Sequence, residues 1–403
     1  MTDKDTTSRY TALQKQFVQR FHRPAQALFS APGRTELGGN HTDHQHGRVL
    51  AAAVELDTAA AAAKNNDRIL RVESQGYAPC EISLESLQPC PSEHGTTAAL
   101  VRGVAAGFAA LGCPIGGFDA CATSRVMPGS GLSSSAAFEV LVGEIFNDFY
   151  CQGRVSALQI ARIGQYAENV YFGKPCGLMD QMACAMGGVV YLDFANPEEP
   201  EIQQLPFDFS RCGYGLCILD SGADHADLTA DYAAIPAEMG AVARVFDKEV
   251  LGQVPEQVFY RRIGDLRRQM GARPVLRAIH FFEENRRVER QRQALFEQDV
   301  EAFLRCTAAS GSSSWRLLQN VIPANGETKL AFTLALAEGL LHGAGACRVH
   351  GGGFAGTVQA FVPLPMLEEF RSRAEAVLGT GSCHLLSVRR QGACRLTEFP
   401  AWQ

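Results

Sequence analysis

Phe118-Asp-Ala-Cys-Ala-Thr-Ser-Arg-Val126 runs into Met127-Pro-Gly-Ser-Gly-Leu-Ser-Ser-Ser135, and that turn into the helical stretch Ala136 to Phe149. A strand, a Gly/Ser-rich turn and a helix, in that order, bring free backbone N–H groups and a positive helix end to one point, which favours phosphate. The serine hydroxyls can add hydrogen bonds or a magnesium ligand. The plainer alternative is a turn whose serines only cap the helix. It is not a Walker A loop, because no Gly-Lys-Ser/Thr follows.

Outward from this unit, residues 9–22 have helical spacing (Tyr10, Leu13, Phe17, Phe21) and precede an extended run, Ala27 to Ser30. Pro32-Gly33 punctuates the chain, and residues 34–47 read as a polar, Gly-rich loop. Strands are predicted at 49–63 and 67–72, and a helix at 97–111 with Leu100, Val104 and Phe108 on one face. Asn196-Pro-Glu-Glu-Pro-Glu is an acidic connector, which places a domain boundary near residue 205 and divides the chain into 1–205 and 206–403. Beyond it come a strand at Leu216 to Leu219, charged amphipathic helices at 258–271, 276–295 and 298–309, and strands near 346–349, 357–363 and 383–389. Helices and mostly antiparallel strands in blocks indicate an α+β protein rather than a doubly wound sheet.

The 403 residues are 46% hydrophobic and 20% charged, a balance that excludes disorder. Lys+Arg 37 against Asp+Glu 43 leaves a net charge of -6, so no basic nucleic-acid footprint is present. The densest basic stretch, Arg286 to Arg292, is interleaved with Glu289 and Gln291 and reads as a solvated helix face. Thirteen scattered cysteines without a C-x-x-C pair fit reduced, mostly buried thiols. The N-terminus lacks signal-peptide features, and no apolar run reaches the roughly 18 residues that span a bilayer. The expectation is a soluble cytoplasmic monomer with small-molecule partners and neither nucleic-acid nor membrane partners.

Three more segments can carry chemistry. Gly33-Arg-Thr-Glu-Leu-Gly-Gly-Asn-His-Thr-Asp-His-Gln-His-Gly47 is dense in short polar side chains that donate and accept, as sugar hydroxyls require. A metal site at His41, Asp43, His44 and His46 and a plain polar loop are the alternatives, although no spacing matches a standard zinc motif. His350-Gly-Gly-Gly-Phe-Ala-Gly356 satisfies G-x-G-x-x-G, but a strand follows where a dinucleotide site needs a helix, leaving a Gly-rich turn beside a ligand. Within Gly164 to Asp193, Glu168 and Asp180 sit among small and apolar residues, and Asp180 reads as a buried functional acid.

Together these segments resemble the galactokinase branch of the GHMP small-molecule kinases. Arg34 to Gly47 looks like its sugar signature, Pro128 to Ala137 like its phosphate loop, and Glu168 to Gln181 like its catalytic-aspartate segment. His225 to Tyr232 with Asp231-Tyr232, then His280 with Glu284-Asn285 and Arg287, then the Gly351–Gly356 loop follow in the family's order. The resemblance implies two α+β domains with the active site between them. It also implies transfer of the ATP γ-phosphoryl group to the anomeric hydroxyl of galactose.

By the same resemblance ATP would lie along Gly129, Ser130, Gly131, Leu132, Ser133, Ser134, Ser135 and Ala136, with Mg2+ at Ser135 and Glu168. Asp180 would be the base, Arg34 would stabilise charge, and Asn40, His41, Asp43, Asp180, Tyr232 and Gly352 would contact the sugar. Five positions depart from the family pattern. Asn40 replaces a glutamate, Thr35-Glu36 a Val-Asn pair, His44 a tyrosine and Ala355 a glycine. The neutral Asn40 removes repulsion toward a carboxylate and so makes galacturonate an alternative substrate; N-acetylgalactosamine is a further alternative sugar, and a non-catalytic ATP/sugar sensor is the alternative role that the resemblance leaves.

Overall fold

A long antiparallel pair, β1 (Ala27–Gly38) and β2 (Arg48–Lys64), organises the computed structural model, which describes residues 3–127, 129–224 and 228–397. Alanines fill β2 at 51–53 and 59–63 and are all buried, so neighbouring elements approach it closely on both faces. β2 also pairs with β5 (Phe118–Ser124) and β6 (Val189–Asp193). β3 (Ile69–Ser74), β4 (Cys80–Ser83) and β7 (Glu201–Leu205) complete the sheet on that side. Among the described strands, only β3 and β5 run parallel.

Helix α1 (Asp3–Phe21) lies against β2 and β5, burying Tyr10, Leu13 and Phe17. The other side carries α2 (Thr97–Ala110), α3 (Ser134–Cys151), α4 (Ala157–Tyr166) and α5 (Met179–Met186). Phe108, Phe118 and Phe146 meet there with ring centroids 5.2–5.3 Å apart.

The second part begins with β8 (Tyr214–Asp220), then α6 (Thr229–Arg244), α7 (Glu256–Arg261), α8 (Ile263–Met270), α9 (Ala272–Phe296), α10 (Val300–Ser313) and α11 (Lys329–Leu341). β9 (Ala346–His350), β10 (Thr357–Pro363), α12 (Leu367–Leu378) and β11 (Cys383–Leu386) follow, giving a second sheet in the order β11-β8-β10-β9. The short β12 (Cys394–Arg395) then returns to pair with β1. Phe207, Phe209, Ile218, Phe303 and Phe361 join the same buried cluster as the large sheet, so apolar packing is continuous between the two sheets.

Several sequence expectations change. Residues 34–38 are strand, not loop: Pro32-Gly33 sits at a bulge, where a missing N–H costs the ladder nothing, and pairing with β2 resumes at Arg34. The helix expected over 258–271 is two helices broken at Arg262, and the strand expected near 383–389 ends at Leu386. The stretch Arg286–Arg292 is not a solvated face, since Val288 and Gln291 are buried and Arg287 pairs with buried Glu284. All thirteen cysteines are free thiols, seven of them buried. No helix of the described residues is long and apolar enough to cross a membrane.

Asp57, in the middle of β2, ties the terminal segments to the sheet. Its buried carboxylate pairs with Arg9 and accepts from the Tyr10 and Ser30 hydroxyls, while Arg389 donates to Ser30 Oγ at 2.6 Å. Asp57→Ala strands Arg9 without a counter-charge and is expected to cost about 3–5 kcal/mol. Urea unfolding checks this as a lower midpoint at an unchanged m-value.

Candidate active site

The Gly-rich loop expected to bind phosphate leaves β5 and enters α3 at an unusual cap. Ser133 is the N-cap in left-handed conformation (φ 57°), and its side chain makes no capping bond. Its hydroxyl instead donates to Asp180 Oδ2 at 2.5 Å. Asp180, in the first turn of α5, is thereby brought to the start of α3.

Arg34 completes this centre from β1. Its Nε donates to Asp180 Oδ1 at 2.8 Å, its Nη1 donates to the Gly131 carbonyl, and its backbone N–H donates to Leu132 O at 3.0 Å. Gly33 permits the approach, because a Cβ there would stand 2.9 Å from Leu132 O. Burial by itself would raise the Asp180 carboxyl, but the Arg34 guanidinium and Ser133 hydroxyl outweigh it and hold the pKa below the ordinary value.

A second carboxylate stands beside it. Glu168 lies in a π-helical turn, 167–172, directly after α4, and is 2% exposed. Its Oε1 accepts from Ser135 Oγ at 2.9 Å and from Lys174 Nζ at 3.1 Å. Gln181 Nε2 bridges its other oxygen to Glu139, both at 3.0 Å. Lys174, Gln181 and Glu139 carry no role in the sequence reading. Glu139 follows Ser135 by four on the same helical face, the one signal available in advance.

The sugar-signature segment after β1 wraps the other side. Asp43 approaches Gly177 so closely that a Cβ there would meet its carboxylate at 1.8 Å. His41 Nε2 donates to Gly352 O at 2.9 Å, since a carbonyl only accepts, and His41 Nδ1 meets His44 Nε2 at 3.2 Å. Both rings are pushed below the ordinary histidine pKa, chiefly by burial, His44 to about 3. Tyr232 donates to Gly353 O at 2.7 Å and lies against Gly352, where a Cβ would stand 2.8 Å from its ring. Ala355 has no positive φ, whereas Phe354 does (59°).

Asn40 faces inward and is 1% exposed. Its Nδ2 donates to Glu36 Oε1 (3.2 Å) and to Gly351 O (2.5 Å), and its Oδ1 accepts from Asn320 Nδ2 (2.8 Å) and Ser314 Oγ (3.3 Å). Glu36, unassigned from sequence, forms a buried ion pair with Arg348 of β9. α9 holds the same segment in place. His280 donates to Asn40 O (2.9 Å), Glu284 accepts from Gly39 N (3.1 Å), and Asn285 accepts from Arg48 N (2.7 Å). Pro128 and His225, both within the motif segments, lie outside the described residues. Among the described residues, no group of three or more His, Cys, Asp or Glu is arranged to hold a metal ion.

A Gly-rich loop at a helix N-terminus, a buried Ser–Glu pair beside it and an Arg-held aspartate describe a small-molecule kinase, and residues 99–188 match the model for the N-terminal domain of GHMP kinases. Residues 15–64 match the galactokinase galactose-binding signature. The chain is 30% identical to a galactokinase of Streptomyces coelicolor over 86% of its own length and 87% of that protein's. It is 32% identical to a galactokinase of Actinobacillus pleuropneumoniae over 86% and 88%. The crystal structure of Lactococcus lactis galactokinase complexed with galactose superposes with a TM-score of 0.82 at 25% identity, covering 96% of this chain and all of that one. Methanococcus jannaschii mevalonate kinase, at 14% identity and a TM-score of 0.64, shares the fold. The chain belongs to the galactokinase family.

Asp43 supplies a pH test. Burial raises its carboxyl from 3.8 to about 6, against the His44 N–H that lowers it. Because the folded value is the higher, the favourable contribution is complete below the ordinary carboxylate range and is lost as pH rises through about 6. Asp43→Asn removes that loss, so the variant is expected to gain on the order of 2 kcal/mol over the parent above pH 7 and nothing below pH 4. Paired urea titrations across that range check it. Asn40→Asp sets an oxygen against two acceptors and is expected to cost about 1–3 kcal/mol in the same assay.

Proposed function

We propose that the protein transfers the γ-phosphoryl group of ATP to the anomeric hydroxyl of galactose. One observation carries the reading: Arg34 touches Asp180 and the phosphate loop at once, so a hydroxyl at the carboxylate and a phosphate at the loop share one guanidinium. The galactose assignment draws on the family, whose relatives here are galactokinases, one of them solved with galactose.

The sugar hydroxyl donates to Asp180, which Arg34 keeps ionised at neutral pH. A carboxylate held this acidic is a weak proton acceptor, so orienting the hydroxyl is its main task. That suits a loose phosphoryl-transfer transition state with little early proton removal. Arg34 faces the charge that develops on the transferring group, and the N–H groups opening α3 face the phosphate oxygens. Ser135 and Glu168 offer a hydroxyl and a buried carboxylate side by side, oxygen donors of the kind Mg2+ takes, and would hold the ion there. When bound, the ion neutralises β- and γ-phosphate oxygens.

ADP release with Mg-ATP and matched galactose, N-acetylgalactosamine, galacturonate or glucose tests the reading. Galactose is expected to turn over fastest. Turnover with galacturonate alone overturns the substrate, and silence with all four while ATP binds overturns the enzyme. Asp180→Asn is expected to lower kcat by about 10²-fold or more with galactose still bound in calorimetry.

A further inference from the structure

His350 ends β9 beneath the site, 2% exposed, with both ring nitrogens occupied. The backbone N–H of Glu36 points at Nε2 (3.3 Å), and because an amide N–H only donates, Nε2 is the bare, accepting nitrogen. Thr35 Oγ1, also 3.0 Å from Nε2, therefore donates its proton to the ring and accepts from Gln359 Nε2 at 2.7 Å. The ring proton is left on Nδ1, which donates to Thr357 Oγ1 at 3.0 Å. Thr357 in turn donates to the carbonyl of Ser130, in the phosphate loop, at 2.9 Å. Every donor direction in this chain follows from its two ends. Burial, with Arg34 and Arg348 nearby, holds the ring far below its ordinary pKa, so it stays neutral. The fit is close: Gly131 has φ +72°, and a Cβ there would stand 2.9 Å from His350 Nδ1.

We propose that His350 is a positioning residue that fixes the phosphate loop, through Thr357 and Ser130, against the strand that carries Arg34. Two shorter ties already join the same segments, from the Arg34 backbone to Leu132 and from its side chain to Gly131. Both are local to Arg34. The relay through His350 runs instead by way of the loop 350–357, so three segments distant in sequence share one imidazole. Its catalytic consequence rests on the kinase reading above, with ATP at the loop and sugar beyond Arg34.

The relay has two halves that substitutions separate. Thr357→Val breaks the phosphate side, leaving the ring in place with its Nδ1–H unpaired, and is expected to raise the KM for ATP about tenfold with the KM for galactose within about twofold. His350→Gln keeps an acceptor for Thr35 and Glu36 but loses the donor to Thr357, and is expected to give the same split. His350→Asn keeps a donor to Thr357 but loses the acceptor for Thr35 and Glu36, so it cuts the strand side of the relay and is expected to give the same split. Equal changes in both KM values across the three variants, with thermal unfolding unchanged, overturn the proposal. Calorimetry with MgADP gives the same comparison without turnover, so a parent that binds MgADP but phosphorylates no sugar sinks the kinase reading and leaves this one testable. Nitrogen-15 NMR of histidine-labelled protein reads the tautomer directly. A proton on Nδ1, unchanged from pH 5 to 8, is expected, and a proton on Nε2 overturns the relay.

Discussion

β1 carries Arg34, Thr35 and Glu36 into the interior, all three less than 7% exposed, and a buried charge or hydroxyl without a partner costs several kcal/mol. The partners cannot come from β2, whose facing residues Ala51, Ala52 and Ala53 offer no polar side chain. They come from far along the chain: Asp180 and Gly131 for Arg34, His350 and Gln359 for Thr35, Arg348 for Glu36. Satisfying one buried strand therefore gathers the phosphate loop, the aspartate helix and the second sheet at one place. Once gathered, the pairs resist separation, because removing one member of a buried ion pair leaves the other uncompensated.

Helix α9 plays the matching part for the residues that follow β1. His280, Glu284, Arg287 and Gln291 recur at intervals of three and four and form one polar stripe on an otherwise packed helix. The stripe supplies partners to Leu37, at the irregular end of the β1 ladder, and to Gly39 and Asn40, which follow the strand. Gly38 has no side chain for a steric reason, since a Cβ there would stand 2.0 Å from Gln291 Oε1. The positive φ of His41 (56°) is held inside this grip, so a backbone conformation unfavourable to most residues persists where His41 faces Gly352.

Local signals made much of this legible. The strand–turn–helix around Gly129, the apolar spacing of α1 and α2 and the acidic residues of the Glu168–Gln181 segment all lie within a few residues of the features that identify them. What stayed hidden depends on distant pairing. Pro32-Gly33 is a turn signal that a bulge in a long β ladder absorbs. The basic run at Arg286–Arg292 looked solvated because Arg287 and Gln291 find their partners in α9 itself and in β1. Glu36 had no neighbour to explain it because its counter-charge sits 312 residues away. Arg348 did leave a trace, as a charge in the apolar run Ala346–His350, a position charged residues rarely occupy unpaired.

That pairing also explains the departures at positions 35, 36 and 40 of the sugar signature as one change rather than several, and leaves His44 unexplained. The family's usual asparagine and glutamate, four residues apart, stand here in reverse order as Glu36 and Asn40. The carboxylate at 36 is neutralised by Arg348 and accepts from Asn40 Nδ2, so a second carboxylate at 40 would repel it at hydrogen-bond distance. Asn40 is consequently turned inward, its oxygen taken by Asn320 and Ser314, and a charged acceptor is lost from position 40 without an unpaired charge being left in the interior. Thr35 belongs to the same change, because its hydroxyl meets His350 one residue from the relocated carboxylate. The signature has thus exchanged a charged side chain at position 40 for a neutral one tied inward to Glu36, Gly351 and Asn320.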